Sequence, residues 1–332
     1  MNSSASSTAF ARRAGLYPET PPLHTHALGV SGGHTLHVQE FGDPHGIPVV
    51  LLHGGPGSGS SPLLRRFLDP KRYRIIGFDQ RGAGLSTPRG ETHHNTTPDL
   101  LSDLQAIRRF LAIDRWLVVG GSWGATLALA HAMSEPQAVS GLLLRATFLA
   151  RVEDIERFFQ GAACDLPEAW SRFAAIALPA RRHEMLEVLH QGLQGEAAEA
   201  APHALAWWRW ETALSGALST PNEPGDAALQ ALIDRYRVQS HYLRQRCWLD
   251  TPPLLDRCSA LPRVPTAILH GAVDRICPPD GARALHQRVA HSTLRLVDGA
   301  GHDPTHPAMV AAMVAALDAY AECGRFESSD PP

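Results

Sequence analysis

The chain has 332 residues and a formal net charge of -3, with 44% apolar and 19% charged residues. That balance excludes intrinsic disorder and dedicated polyanion binding, so no nucleic-acid partner is expected. No run of about 18 apolar residues offers a membrane span, and a length above roughly 250–300 residues favours a core that is split or interrupted.

In chain order, the stretch from Met1 to Pro18 is Ser/Ala-rich with Arg12 and Arg13. It lacks the continuous apolar segment of a secretory signal and reads as a leader, with residues 1–15 mobile. Short apolar β-type runs follow at 35–41, 48–53, 73–79, 116–121, 141–145, 266–270 and 293–297. Residues 99–111 carry Leu100, Leu101, Leu104, Ile107, Phe110 and Leu111 at helical spacing, and 123–133 is an Ala/Leu-rich buried helix. Strands alternating with helices predict an α/β fold, a mostly parallel sheet covered on both faces. The run 35–41 alternates more strictly and is expected to form an antiparallel hairpin at the sheet's edge. From 148 to 262 strand signals vanish and Ala, Glu, Arg, Leu and Trp dominate, with Trp207, Trp208 and Trp210 clustered. The expected organisation is an α/β core (1–147 and 263–332) interrupted by a helical cap (148–262).

Five widely spaced cysteines (Cys164, Cys247, Cys258, Cys277, Cys323) form no CxxC pair. They read as reduced thiols of a cytoplasmic protein. No metal-binding constellation is present, so no cofactor is expected.

The strongest local signal is Gly120-Gly121-Ser122-Trp123-Gly124. It matches G-x-S-x-G after an apolar strand and before a helix, the setting that exposes a nucleophilic serine on a sharp turn. Gly29-Val30-Ser31-Gly32-Gly33 matches the same pattern. With no recognisable strand before it or helix after it, it reads as a hairpin turn. An activated serine needs a base, and the base needs an orienting acid. His302 lies in a Gly-rich loop after the last strand, above the sheet where ligands bind in such folds, and is preferred to His291 and His306. Asp274 follows the run 266–270 and precedes His302, in the order this fold uses. It is preferred to Asp298 and Asp303, which flank the histidine loop. Two N–H groups must stabilise the oxyanion. Trp123, after the nucleophile, offers one; Gly55, in His53-Gly54-Gly55-Pro56-Gly57, offers the other. No Gly-Lys-Ser/Thr follows that loop, so a phosphate cradle is not indicated.

Taken in order, His53-Gly54-Gly55-Pro56-Gly57, Asp79-Gln80-Arg81-Gly82, Gly121-Ser122-Trp123-Gly124, His270-Gly271-Ala272-Val273-Asp274 and Gly299-Ala300-Gly301-His302 resemble the proline iminopeptidase family of α/β-hydrolases. The resemblance covers most of the chain, though 165–193, read as helical, matches poorly. It implies metal-free removal of N-terminal proline from small peptides with a free N-terminus, by a triad at Ser122, Asp274 and His302. It also implies that Glu211, in Trp210-Glu211, receives the substrate's α-ammonium. A second family glutamate is replaced here by Gln239, which removes a negative charge from that site. The proline pocket maps to Phe148, Phe159 and Cys277. Gln239 motivates an alternative: an esterase or amidase for uncharged acyl groups. Glu211 pairing with Arg209 or Arg235 is the structural alternative to amine recognition.

Overall fold

The computed structural model describes residues 15–216 and 222–326; most of the leader stretch, residues 1–14, lies outside them. Its framework is an eight-stranded sheet of β1 (His24–Gly29), β2 (Thr35–Gly42), β3 (Ile47–Leu52), β4 (Tyr73–Phe78), β5 (Trp116–Gly121), β6 (Val139–Arg145), β7 (Thr266–Gly271) and β8 (Ser292–Val297). The spatial order is β1-β2-β4-β3-β5-β6-β7-β8. All pairings from β4 through β3 to β8 are parallel; β1 with β2 and β2 with β4 are antiparallel. β5 and β7 are buried at every residue, as continuous apolar runs in a doubly covered sheet must be.

The antiparallel hairpin expected at the sheet's edge is formed by β1 and β2. One expectation about the N-terminal region needs correction: a strand does precede Ser31. The edge is β1, whose sequence HTHALG is polar and mostly exposed, so it carries no apolar-run signal. Its role comes from pairing with β2 across a turn that holds Ser31, whose Oγ accepts a hydrogen bond from Arg81 Nη2 at 2.9 Å.

On the faces of the sheet lie α1 (Pro62–Arg65), α2 (Thr97–Phe110), α3 (Trp123–Ser134), α9 (Pro279–Arg288) and α10 (Pro307–Cys323). α2 starts two residues before the expected position. Thr96 caps it, its side chain accepting from the Asp99 N–H while Asp99 accepts from the Thr96 N–H. This capping box supplies acceptors for N–H groups that the first helical turn leaves unpaired.

Between β6 and β7 the chain runs through α4 (Val152–Phe159), α5 (Pro167–Ala174), α6 (Met185–Leu193), α7 (Ala197–Ser215) and α8 (Asp226–Arg244). The span 165–193 is not one helix. α5 ends at Ala174, and the chain passes through an extended Leu178 (ψ 144°) into a 3-10 turn (Pro179–Glu184), because the residue before a proline is kept out of the helical region. Aromatic side chains bind this segment together: Trp207 stacks on Tyr236 at 4.7 Å and Phe173 on Trp210 at 5.4 Å. α8 is anchored to the start of α2, where Tyr242 Oη donates to Asn95 Oδ1 at 2.8 Å. Residues of this segment and of one face of the sheet belong to one continuous apolar core.

Candidate active site

Ser122 sits between β5 and α3 at φ 57°, ψ -123°. A non-glycine residue there is strained and persists only where its surroundings enforce it. They do so here. The Ser122 N–H donates to Arg145 O at 2.9 Å, and the flanking glycines leave no room for side chains. A Cβ on Gly124 would lie 2.0 Å from Leu52 O, and one on Gly120 would lie 2.2 Å from Gly124 O. Glycine at both positions therefore lets α3 press against β3 and β5 and drives the serine out above the sheet.

His302 and Asp274 arrive from the C-terminal ends of β8 and β7. His302 Nδ1 bonds Asp274 Oδ2 at 2.8 Å. Asp274 Oδ1 accepts the backbone N–H groups of Ile276 and Cys277, each at 2.9 Å, so the carboxylate cannot rotate freely. Burial alone would raise the Asp274 pKa. The nearby charge and hydrogen bond of His302, the neighbouring His270 and the Cys277 N–H outweigh it and hold the carboxyl below its usual range. His270 Nδ1 accepts from the Thr147 N–H at 3.0 Å, so its Nε2–H is the donor to Cys277 O at 2.7 Å. Burial pushes its pKa down and keeps it neutral beneath the acid. The rival residues are elsewhere: His291 and Asp298 are exposed, Asp303 caps Thr305, and His306 precedes α10.

Facing Ser122, Gly54 and Gly55 extend from the end of β3. At Gly55 the φ is 111°, and an added Cβ would lie 2.8 Å from the Gly57 and Ser58 nitrogens. Trp123 is the first residue of α3, where a backbone N–H has no intrahelical partner. Its indole is fully buried and donates through Nε1 to Gln80 Oε1 at 2.8 Å. Gln80 also donates from Nε2 to His53 O at 3.1 Å and from its backbone N–H to His53 Nε2 at 3.0 Å. Gln80 and His53 thus tie the glycine loop to the serine turn. The motifs displayed both residues, but sequence carries no signal for the bridge itself.

These elements open on a cavity of about 170 Å³. Gly55, Ser122 and His302 line its sheet side; Phe148, Phe159, Glu211, Gln239 and Cys277 line the rest. Ser122, His302, Gly55 and every residue expected in the substrate pocket thus border one space. Asp274 stands behind His302, and Trp123 faces the core. Phe159 also packs on Trp207 at 5.2 Å, so it serves both cavity and core. Cys277 is buried, which pushes its thiol pKa up, and its side chain contacts Ser122.

Glu211 is already engaged. Its Oε1 accepts from Arg235 Nη2 at 2.5 Å and its Oε2 from Tyr236 Oη at 2.9 Å. Arg209 pairs instead with Glu223. Burial works against the Arg235 charge, but Glu211 outweighs it and raises the guanidinium pKa. Asp154, also on the cavity wall, is bound by Arg151 through Nε and Nη2.

The sequence model for the α/β hydrolase fold matches residues 47–306. A proline iminopeptidase of Xylella fastidiosa (strain 9a5c) is 39% identical over 314 residues, covering 92% of this chain and 99% of that protein. The chain belongs to the proline iminopeptidase family of α/β-hydrolases. Another member of the family, from Arabidopsis thaliana, is 38% identical over 92% of this chain and 82% of its own length. The crystal structure of a proline iminopeptidase-related protein from Thermus thermophilus covers 90% of this chain and 97% of its own, with a TM-score of 0.54 and 23% identity. At that identity the likeness speaks for the fold, which is the one the family shares. Among the described residues no helix is long and apolar enough to cross a membrane.

Proposed function

We propose that this protein is a serine aminopeptidase that releases N-terminal proline from small peptides. The observation that carries the reading is a serine, and a histidine held to a buried aspartate at 2.8 Å, opening on one ring-sized cavity. A cavity of about 150 Å³ holds a single benzene-sized ring, so about 170 Å³ suits one pyrrolidine and its carbonyl.

In the reaction, neutral His302 takes the Ser122 proton through Nε2 as Oγ attacks the prolyl carbonyl carbon. Asp274 holds the opposite nitrogen protonated and stabilises the imidazolium. The backbone N–H groups of Gly55 and Trp123 receive the oxyanion. His302 then returns the proton to the leaving amine as the C–N bond breaks, giving a prolyl ester of Ser122. Water, deprotonated by His302, releases proline and restores the serine. Phe148, Phe159 and Cys277 surround the ring, and Glu211 and Gln239 lie at its nitrogen end. The helical segment 148–262 acts as a cap that restricts entry to short chains and keeps water from the developing charge. Buried, unbridged Cys247, Cys258 and Cys277 fit a cytoplasmic setting.

The Glu211–Arg235 pair and Gln239 favour a second reading, an esterase or amidase for uncharged acyl groups. A panel of aminoacyl arylamides beside simple aryl esters separates the two. Proline arylamide should be the best amide substrate; hydrolysis of esters alone would establish the second reading. Ser122→Ala should abolish both activities and fluorophosphonate labelling. Retention of a tenth of wild-type kcat would remove Ser122 from the chemistry.

A further inference from the structure

The cavity wall carries a balanced set of charges. Among the described residues lining it, Asp154 and Glu211 are acidic, and Arg145 and Arg235 are basic. Glu211 and Arg235 are in direct contact at 2.5 Å, each side chain about a fifth exposed (21% and 22%). An ammonium ion brought to Glu211 therefore meets a guanidinium at nearly the same distance, and attraction and repulsion largely cancel. Bringing a cation out of water without a net counter-charge is expensive. Gln239 adds no charge. Two buried polar atoms of these wall residues have no partner: the acceptor Gln239 Oε1 and the donor Arg235 Nε–H. One acceptor and one donor complement a neutral amine, which has one lone pair and at least one N–H; an ammonium has no lone pair to offer.

Resting on the aminopeptidase reading, we propose that the site takes the substrate's α-nitrogen in its uncharged form, and that Arg235 sets this preference. The amine leaves its proton in bulk water, accepts the Arg235 Nε–H and donates to Gln239 Oε1. The same arrangement admits acyl groups bearing a neutral hydrogen-bond acceptor at that position.

The groups facing this site from the surrounding elements are Asp154 on α4, Arg145 on β6, Glu211 on α7, Arg235 and Tyr236 on α8, His53 beside the glycine loop, and Asp274, Cys277 and His302 from the β7 and β8 loops. Burial pushes His53 down and Tyr236 and Cys277 up, so these three stay uncharged near neutral pH. His302 acts on every substrate alike and cancels in a ratio of substrates.

The test compares two p-nitroanilides as a function of pH: that of proline, and that of tetrahydrofuran-2-carboxylic acid, which has the same ring size and no ionisable nitrogen. With an α-amine pKa near 7.7–8.0, the wild-type ratio of kcat/KM, proline over tetrahydrofuran, should rise about tenfold from pH 6 to 7 and level off above about pH 8. In Arg235→Met the freed Glu211 should accept the ammonium. The ratio then becomes flat, and proline hydrolysis at pH 6.5 gains about tenfold relative to the oxygen analogue. Arg235→Lys should restore the slope, and the wild-type profile alone decides if Arg235→Met does not fold. A wild-type ratio that is flat from pH 6 to 8, with proline anilide cleaved, overturns the inference and leaves the aminopeptidase reading standing. Cleavage of the oxygen analogue with no cleavage of proline anilide at any pH overturns both.

Discussion

Replacing Asp274 by Asn is predicted to disable His302, the proposed catalytic base, by choosing its tautomer. The carboxylate is fully buried, and Oδ1 accepts two backbone N–H groups, from Ile276 and Cys277. An asparagine must keep its carbonyl oxygen on those two donors, because turning the NH2 toward them would set donors against donors. The NH2 then faces His302 Nδ1, now 2.8 Å from Oδ2, and forces that nitrogen to become the acceptor. The ring proton moves to Nε2, the atom that must accept the serine proton. In a serine protease the same substitution lowers kcat about 10⁴-fold. A loss of three to four decades here corresponds to roughly 4–5.5 kcal/mol of barrier. The assay is kcat on an activated ester together with the rate of fluorophosphonate labelling, with circular dichroism to verify the fold. Because the Asp274 pKa is depressed in the folded state, its contribution to stability is complete above the usual carboxyl range and is lost as pH falls through the folded value. The difference in melting temperature between wild type and Asp274→Asn should therefore shrink on acidification. A folded Asp274→Asn enzyme with kcat within tenfold of wild type would refute the tautomer argument.

Gly124→Ala places a Cβ 2.0 Å from the Leu52 carbonyl oxygen, a backbone atom that cannot swing aside. A loss of at least about 2 kcal/mol in urea unfolding is expected, and unchanged stability would show that the turn has slack. Gln80→Leu removes the side-chain bonds to His53 O and Trp123 Nε1 that join the glycine loop to the serine turn, the two halves of the proposed oxyanion site. It should lower kcat about 10- to 100-fold for amides and esters alike, as small misplacements of reacting groups do; a change confined to KM would contradict a positioning role. Burial depresses the His131 pKa from 6.5 to about 4. The unfolded chain thus binds the proton more readily, so stability is complete above pH 6.5 and about 3 kcal/mol is lost as pH falls to 4. His131→Gln, which retains an acceptor for Trp116 Nε1–H, should flatten stability over that window, as denaturation at pH 7, 5.5 and 4.5 would report.

Much of this architecture is written in local sequence. Short apolar runs such as Trp116–Gly121, too short for a helix and ending in glycines, read as strands covered on both faces, and a serine between such a run and an Ala-rich helix defines the turn at Ser122. Asp274 and His302 were legible because both follow apolar strands whose ends lie on one side of a parallel sheet. The edge strand His24–Gly29 was not legible: mostly exposed and polar, it is a strand only because β2 supplies its hydrogen bonds. The same limit applies inside the site. Glu211 was visible as a carboxylate beside Trp210, but whether it stands ready for an amine depends on α7 and α8 lying side by side. Trp207 stacks on Tyr236, and that packing brings Arg235, 24 positions away, to 2.5 Å from Glu211. Sequence spacing determines which face of a helix a side chain occupies. Which charge meets it there is decided by the neighbouring helix, because an ion pair's strength depends on distance and on the water its packing excludes.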